Sequence, residues 1–233
     1  MSMPKGKRGF RRLFAYAAWK GALDRVLALL SIVVLSPLLV LIAIAIRFDS
    51  PGNPIFSQER VGKDGRQFIA HKFRTMYNNN DDTEYKAYLT RLITQGAPYV
   101  IDQRQRAVYK VVDDQRVTRV GALLRKTNLD ELPQLFNVLK GEMSFIGPRP
   151  DIPFAVEMYT RWHRKRLSVK PGITGLWQVC ERTNRSFDEM VSLDIDYAER
   201  QSPLLDSRIV LRTLVTILGR DGSYRDQKEV RDG

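Results

Sequence analysis

The sequence contains few of the side chains that build disulfides and soft-metal sites. Cys180 is the only cysteine among 233 residues, and His71 and His163 are the only histidines. These counts exclude an intramolecular disulfide and a thiolate zinc site, and they argue against a histidine-rich metal centre. Any bound metal is therefore expected to have oxygen ligands, which favours Mg²⁺.

Acidic residues are also scarce relative to basic ones. The chain has 38 Lys and Arg against 26 Asp and Glu, a formal net charge of +12. This excess favours a polyanionic partner, such as nucleic acid, anionic lipid headgroups or a phosphorylated substrate. Residues 1–12 are interpreted as a flexible basic arm suited to anionic headgroups, and residues from Arg220 onward as a polar tail.

One apolar run dominates the N-terminal part of the chain. Residues 26–46 carry no charge, and as a helix they would be roughly 30 Å long, enough to cross a bilayer. Pro37 near the middle removes one backbone hydrogen bond, and Ser36 can bond back to a carbonyl, so a bend is expected there. Because both flanks are basic, the positive-inside rule gives no direction of crossing. A kinked spanning helix and a re-entrant helix broken at Ser36-Pro37 are equally favoured by these residues.

The remaining sequence predicts short elements. The Asp64-Gly65 turn between two apolar-patterned segments predicts a β-hairpin over 55–73. Apolar residues at helical spacing predict helices over 85–93, 152–167, 186–198 and 206–218, whereas 170–177 is predicted as a loop. The last helix has an apolar face edged with arginine, which suits a membrane interface or a core position. Residues 97–112 give no clear assignment. The predicted fold class is mainly α with a small β-hairpin (α+β).

The segment from Arg125 to Pro150 contains two adjacent carboxylates, Asp130 and Glu131. Pro133 is tolerated only in a first helical turn, so a helix is expected to begin between Asn128 and Asp130, and Asn128 with Glu131 resembles a capping box. Acidic residues in a first turn commonly complement the helix macrodipole, at roughly 0.3–1 kcal/mol each. The flanking Lys and Arg residues make a phosphate-handling site the alternative interpretation.

Six sequence blocks, taken in order, resemble one known family, the monotopic phosphoglycosyl transferases (the bacterial sugar transferase family). The resemblance covers about Lys20 to Tyr224 and implies a small, largely helical domain with a β-hairpin. The domain would rest on a re-entrant helix broken at Ser36-Pro37 and on interfacial amphipathic helices. The matching blocks are the Ser36-Pro37 apolar helix, DSPGNPIFSQERVGKDG, HKFRTM, LLRKTNLDELPQLFNVLKGEMSFIGPRP, RLSVKPGITGLWQV and SLDIDY.

The resemblance also implies an organisation and a location. Residues 1–50 would form the basic arm and the re-entrant membrane helix, 51–220 the catalytic domain, and 221–233 a polar tail. The catalytic domain would lie on the cytoplasmic face of the bacterial inner membrane. Implied partners are a UDP-sugar, polyprenyl phosphate and anionic membrane lipids. A homodimer is compatible with the resemblance, and nucleic acid is not expected.

The implied reaction moves a sugar phosphate from a UDP-sugar to undecaprenyl (polyprenyl) phosphate and releases UMP. It would be the first membrane step of exopolysaccharide, capsule, O-antigen or glycoconjugate synthesis. By the resemblance, Asp130 is the nucleophile that forms an aspartyl-phosphosugar, and Glu131 positions Mg²⁺ or accepts a proton, both carboxylates being metal ligands. The further residues implied to bind substrate phosphate or nucleotide are Arg125, Arg149, Pro148, Pro150, Lys72, Arg74, Arg166 and Asp194.

Two other functions stay open at this point. One is a single-step membrane glycosyl transferase that releases UDP, and the other is a non-catalytic basic protein that binds anionic membranes. Asn128 stands where Ser or Thr is common in the family, and Gln115 replaces a frequent proline. The stretch 77–112 is longer than in the smallest members. The sequence does not indicate which sugar is transferred or which glycan pathway is served.

Overall fold

The computed structural model describes residues 5–77, 83–96, 100–101, 107–108, 116–180 and 186–218. Within them the fold is mostly helical with small two-stranded sheets, as the sequence predicted. The helices are α1 (Lys5–Asp49), α2 (Thr83–Gln95), α3 (Arg119–Thr127), α4 (Gln134–Lys140), α5 (Pro153–Glu157), α6 (Phe187–Arg200) and α7 (Pro203–Leu218). The strands are β1 (Ile55–Val61), β2 (Gln67–Phe73), β3 (Val100–Ile101), β4 (Ala107–Val108), β5 (Ser144–Ile146) and β6 (Gly172–Thr174). The predicted tail, 221–233, lies outside the described residues.

Helix α1 is one continuous element of 45 residues, with Pro37 inside it. Pro37 has no N–H to donate to the carbonyl of Val33, but the Ser36 hydroxyl donates to that carbonyl at 2.8 Å. The bond expected of Ser36 is therefore present, and because it satisfies the freed acceptor, the helix passes through the proline. The expected interruption at Ser36-Pro37 is not seen, and the re-entrant path stays a prediction. The flexible arm expected over 1–12 is likewise helical from Lys5 onward.

Most of the apolar surface of α1 is bare. From Trp19 to Asp49 the helix is long and apolar enough to cross a membrane, and 11% of its most apolar window is buried. Val34 is 75% exposed, whereas Ala28 and Ile46 pack against the domain. A core helix of a water-soluble protein would bury such a stretch, and an apolar face of this length marks a membrane-contacting or partner-contacting surface.

The predicted hairpin is confirmed. β1 and β2 pair antiparallel from Ile55 opposite Phe73 to Val61 opposite Gln67. The connecting turn needs left-handed backbone at Asp64 (φ 56°) and Gly65 (φ 77°), which Asp tolerates and Gly favours. The α4 side of the sheet is fixed by one buried amide, since Asn137 donates to the Ile69 carbonyl at 2.6 Å and accepts from the His71 N–H at 3.1 Å. The hairpin is thereby held on α4.

Residues 170–177 are not simply a loop, because 172–174 form β6, which pairs in parallel with β5. The pairing requires close approach of two glycines. A Cβ on Gly172 would lie 2.1 Å from the nitrogen of Gly147, which no side chain could tolerate. This contact holds the segment that ends at Gly147 against the segment around Gly172. It thereby fixes the position of residues 148–150, which follow Gly147.

Three helix predictions are confirmed by α2, α6 and α7, and α6 begins with a capping box formed by Ser186 and Glu189. The helix predicted over 152–167 is wrong, because α5 ends at Glu157 and the chain resumes as a 3-10 turn at His163–Ser168. Thr160 and His163 exchange side-chain-to-backbone bonds of 3.2 Å. Such local bonds compete with helical hydrogen bonds and interrupt the helix there.

Candidate active site

The two adjacent carboxylates lie in a 3-10 turn, Leu129–Glu131 (the dyad turn), between α3 and α4. Asn128 adopts left-handed backbone (φ 55°) and ends α3, and its side chain makes no cap bond. The predicted capping box of Asn128 with Glu131 is therefore wrong, because Asn serves as a helix C-terminus, which its tolerance of this conformation permits. Helix α4 begins only at Gln134. Glu131 is thus not committed to a helix cap.

Glu131 instead pairs with an arginine 18 residues further along the chain. Its Oε1 lies 2.7 Å from Nη2 of Arg149, in the Pro-Arg-Pro turn (residues 148–150). The Glu131 side chain is 13% exposed and the Arg149 side chain 42% exposed, and Glu131 raises the pKa of Arg149. The structure therefore brings the carboxylate pair and the Pro-Arg-Pro turn together.

Asp130 occupies a different electrostatic position. Burial, and then the charge of Glu131, raise the pKa of Asp130 to about 6, against opposing contributions from Lys72, Arg149 and Arg125. Among the ion pairs of the described residues, Asp130 takes part in none, whereas Glu131 is paired. The Asp130 carboxylate is thus ionised at neutral pH, poorly solvated and close to cations, which are the properties of an activated carboxylate nucleophile.

The hairpin supplies the facing wall of the site. An open, shallow cleft is lined by Gln58, Arg60, Ala70, His71, Lys72, Glu131, Gln134, Arg149 and Pro150. Burial, followed by the charges of Arg60 and Arg149, lowers the pKa of Lys72 to about 8. The Lys72 ammonium also lies 5.2 Å from the centre of the Phe56 ring, directly across the hairpin. The structure therefore places Lys72 in the wall of the cleft, on the same side as Phe56.

Arg60 and Gln58 were missed by the sequence analysis. Arg60 donates to Gln58 Oε1 at 2.6 Å and to the Pro150 carbonyl at 3.0 Å, and burial together with Arg149 lowers its pKa. The predicted hairpin contained a pattern that could have identified both residues. Side chains alternate between faces along a strand, so residues 56, 58 and 60 share one face, and the pairing of 56 with 72 adds Lys72 to it.

The structure separates two residues that the sequence analysis grouped together. Arg125 donates to the Thr75 hydroxyl at 2.8 Å and is close enough to lower the pKa of Asp130. Arg74 is buried and donates to the carbonyls of Pro51 (2.6 Å) and Ser50 (2.7 Å). Arg74 therefore ties the end of α1 to the end of β2 and is not among the residues that line the cleft.

Arg166 and Asp194 are also placed away from the cleft. They form a buried ion pair of 2.5 Å, and Asp194 is fully buried. Arg166 donates to the carbonyl of Arg149 at 3.1 Å from the side of a second, smaller cavity, which Pro148 and Tyr159 also line. Arg166 contacts the site through the backbone of Arg149, and Asp194 holds Arg166, so a direct contact of either side chain with substrate is not supported by its position.

The chemistry of the donor set decides whether Mg²⁺ fits. No group of three or more His, Cys, Asp or Glu side chains that could hold a metal occurs in the part of the chain that the structure describes. Mg²⁺ in phosphate-handling sites commonly uses one or two carboxylates together with water and substrate phosphates. Asp130 and Glu131 supply that number, and their mutual repulsion, which helps raise the pKa of Asp130, is what a cation would relieve. The pair fits a metal that arrives with a phosphorylated ligand.

A bare apolar helix beside a carboxylate pair set among lysine and arginine side chains is typical of a membrane-associated protein that binds an anionic ligand. The chain belongs to the bacterial sugar transferase family, whose model matches residues 15–220. The resemblance seen in the sequence blocks is thereby confirmed.

Three relatives illustrate the family. The exopolysaccharide production protein ExoY of Sinorhizobium fredii is 37% identical over 205 residues, which are 88% of each chain. The undecaprenyl-phosphate galactose phosphotransferase of Salmonella typhimurium is 37% identical over 205 residues, 88% of this chain and 41% of that protein. The UDP-N-acetylgalactosamine-undecaprenyl-phosphate N-acetylgalactosaminephosphotransferase of Aeromonas hydrophila is 38% identical over 209 residues, 87% of this chain and 44% of that one. The chain thus spans less than half the length of several relatives and most of the length of ExoY.

Proposed function

We propose that this protein transfers a sugar 1-phosphate from a UDP-sugar to undecaprenyl (polyprenyl) phosphate, with release of UMP, in exopolysaccharide or related glycan synthesis. The observation that carries the proposal is the Asp130 carboxylate, which lies close to the charges of Lys72, Arg149 and Arg125, beside a cleft that Arg60 and the Glu131–Arg149 pair line. Cations crowded together in this way favour a diphosphate ligand. The names of relatives that act on undecaprenyl phosphate support the same substrates.

The position of the dyad turn supports a lipid-borne acceptor. Leu129 and Leu132 flank the dyad and pack against a buried cluster that includes Ile42 and Ile46 of α1. The dyad turn, which carries the two carboxylates, therefore packs against the part of α1 that follows Pro37. A phosphate at the headgroup level of a membrane would lie near Asp130 if α1 enters that membrane, on the cytoplasmic face where nucleotide sugars occur.

In the first step, an Asp130 carboxylate oxygen attacks the phosphorus that carries the sugar. The bond from that phosphorus to the UMP oxygen breaks, and UMP leaves with the electron pair, which gives an aspartyl-phosphosugar. The raised pKa of Asp130 makes the carboxylate a better nucleophile while it stays ionised at neutral pH. In this step Arg149 and Lys72 stabilise the negative charge on the phosphoryl oxygens.

In the second step, a phosphate oxygen of the polyprenyl phosphate attacks the same phosphorus. The acyl-phosphate bond breaks, Asp130 is regenerated as a carboxylate, and the diphosphate-linked lipid sugar is released. Any proton lost by the acceptor passes to Glu131, whose ion pair with Arg149 keeps it at the edge of the cleft. Mg²⁺, held by Asp130 and Glu131, would supply charge neutralisation on the diphosphate.

Product analysis tests the proposal. Protein in detergent is supplied with a panel of UDP-sugars, Mg²⁺ and polyprenyl phosphate, and we expect UMP from at least one donor. Asp130→Asn should abolish release, whereas Asp196→Asn, which removes an exposed carboxylate paired with Arg200, should not. Release of UDP would favour a single-step glycosyl transferase, and no nucleotide product from any donor would favour a non-catalytic membrane-binding protein.

The covalent intermediate has its own test. Without acceptor, incubation with donor should release up to one equivalent of UMP and add the mass of one phosphosugar to the peptide that contains Asp130. UMP release that strictly requires acceptor, with no adduct on the protein, would overturn the two-step route and leave the overall transfer intact.

The re-entrant path of α1 is tested by labelling. Single cysteines at Ala17 and Arg66, in a Cys180→Ser background, should both react with an impermeant maleimide from the same face of sealed vesicles. Reaction from opposite faces would show that α1 spans the membrane.

A further inference from the structure

The backbone of the Pro-Arg-Pro turn and of Asp151, the residue after it, is fixed by hydrogen bonds to its carbonyls. Each of the four consecutive carbonyls from Pro148 to Asp151 accepts a hydrogen bond. The donors, in the order of the acceptors, are Gly172 N (2.9 Å), Arg166 Nη2 (3.1 Å), Arg60 Nη1 (3.0 Å) and Val61 N (2.9 Å). Two of these donors are side chains of arginines from distant parts of the sequence, the half-buried Arg60 and the buried Arg166, so the turn does not depend on local structure alone.

The two arginines hold the turn from opposite sides. Arg60 lines the cleft that contains Glu131, whereas Arg166 lines the second cavity, and both cavities share Arg149 and Pro150 as a wall. The turn therefore separates the site from a buried polar network behind it. A shift of the turn toward either cavity would break one of the two carbonyl contacts.

Arg166 is itself fixed by more acceptors than an ordinary ion pair provides. Its Nη1 donates to Asp151 Oδ2 (2.6 Å) and to the Tyr159 hydroxyl (2.7 Å), and its Nη2 lies 2.5 Å from Asp194 Oδ2. Arg166 is 4% exposed and Asp194 is fully buried. Burying such charges is costly unless their geometry is fixed. The planar fork of a guanidinium meets that requirement, and a lysine ammonium does not.

The contact with Arg149 has a geometric consequence. Holding the Arg149 carbonyl fixes the peptide plane between Arg149 and Pro150, and the flanking prolines restrict the backbone further. The direction in which the Arg149 side chain leaves the turn is thereby determined, and that side chain reaches Glu131 at 2.7 Å. We propose that Arg166, held by Asp194 and Asp151, is a positioning residue that sets the Arg149 guanidinium against the carboxylate pair from behind the turn.

Kinetics give the first test, which rests on the proposed function. Arg166→Lys keeps the charge but loses the fork, and we expect turnover to fall by roughly tenfold to a hundredfold, as misplacement of a binding group does. In an Arg149→Met background the same substitution should cost less than about twofold, since the group it positions is gone. Arg200→Lys, in the exposed pair with Asp196, is the matched control and should change neither background. Equal losses in both backgrounds would overturn the proposal.

Chemical labelling gives a second test that needs no activity. Phenylglyoxal modifies accessible guanidinium groups, and the rate at Arg149 can be followed by peptide mass spectrometry, with the exposed Arg119 as an internal reference. Arg166→Lys should raise the Arg149 rate several-fold, and Arg200→Lys should leave it unchanged. If Arg166→Lys does not fold, Tyr159→Phe removes one acceptor without a change of charge and should give a smaller rise. An unchanged Arg149 rate in the folded variant would refute the positioning role even if UMP is released. A raised rate would support the role even if UMP is not.

Discussion

Arg149 and Arg166 are joined by one hydrogen bond, from the Arg166 guanidinium to the Arg149 carbonyl, but their side chains have different roles. Arg166 is buried among Asp151, Asp194 and Tyr159, and its interactions lie within the protein interior. The Arg149 side chain is 42% exposed, pairs with Glu131, and shares its cleft with Arg60 and Lys72, which carry the same charge. The first arrangement stabilises a fold, whereas the second leaves positive charge available to a ligand.

The carboxylates show the same contrast. Burial raises the pKa of both Asp194 and Asp130 to about 6. Asp194 has Arg166 as a partner at 2.5 Å, whereas Asp130 lies next to the like charge of Glu131 and belongs to no ion pair among the described residues. Unfavourable electrostatics in a folded protein are typical of functional sites, because stability is lost there in exchange for reactivity. The comparison therefore predicts that substitutions in the two regions affect stability in opposite directions.

The largest effect is expected at Arg166. Arg166→Met would leave Asp194 and Asp151 without their shared cation, and we expect the free energy of unfolding to fall by about 3–5 kcal/mol. Arg149→Met removes a partner that is itself 42% exposed but leaves the largely buried Glu131 unpaired, and it should lower the free energy of unfolding by less, about 1–2 kcal/mol. Thermal unfolding of both variants in the same detergent measures the difference. Equal destabilisation would contradict the division between scaffold and site.

A stabilising effect is expected at Asp130. The folded pKa of about 6 lies above the model-compound value of 3.8, so the folded protein binds this proton more tightly than the unfolded chain. Ionisation between these two pKa values therefore costs stability, by about 3 kcal/mol once the pH exceeds 6. Asp130→Asn should raise the unfolding temperature at pH 7 and have little effect near pH 4. A lower unfolding temperature at pH 7 would show that the ionised carboxylate stabilises the fold.

The pH dependence of turnover should follow the same two groups. Asp130 must lose its proton, with a pKa of about 6, and Lys72 must keep its proton, with a pKa of about 8. Turnover should therefore be greatest near pH 7 and fall by up to tenfold per pH unit on either side. Lys72→Arg, which stays protonated, should remove the alkaline limb and leave the acidic one. An alkaline limb unchanged in Lys72→Arg would assign it to another group.

Local sequence signals predicted much of the fold. The turn at Asp64-Gly65 and the helix predicted over 186–198 depend on residues within a few positions of one another, and both are found. Asn128 could have begun one helix or ended another, and local sequence does not distinguish these roles. Local sequence also does not show that Glu131 pairs with Arg149, 18 residues further along the chain, instead of capping a helix.

The site residues that lie in one sequence motif could be predicted. The roles of similar residues that differ only in their long-range contacts could not. Asp130, Glu131 and Arg149 fall in one segment and meet in space. Arg60 and Arg74 are two arginines of the same hairpin region, yet Arg60 faces the cleft and Arg74 binds the carbonyls at the end of α1. Only the packing of the hairpin against α1 and the Pro-Arg-Pro turn separates these roles, and composition and periodicity do not contain that information.

The smallest effect on stability is expected in α1, where the Ser36 hydroxyl is a polar group that has a partner outside the site. The Ser36 hydroxyl satisfies the Val33 carbonyl that Pro37 cannot, so Ser36→Ala should lower the free energy of unfolding by about 1 kcal/mol. In a Pro37→Ala background the residue 37 N–H can bond to that carbonyl, and Ser36→Ala should then cost little. Thermal unfolding of the four chains in detergent measures the coupling between the two positions. An equal cost in both backgrounds would mean that the serine bond does not compensate for the proline, and that the continuity of α1 has another cause.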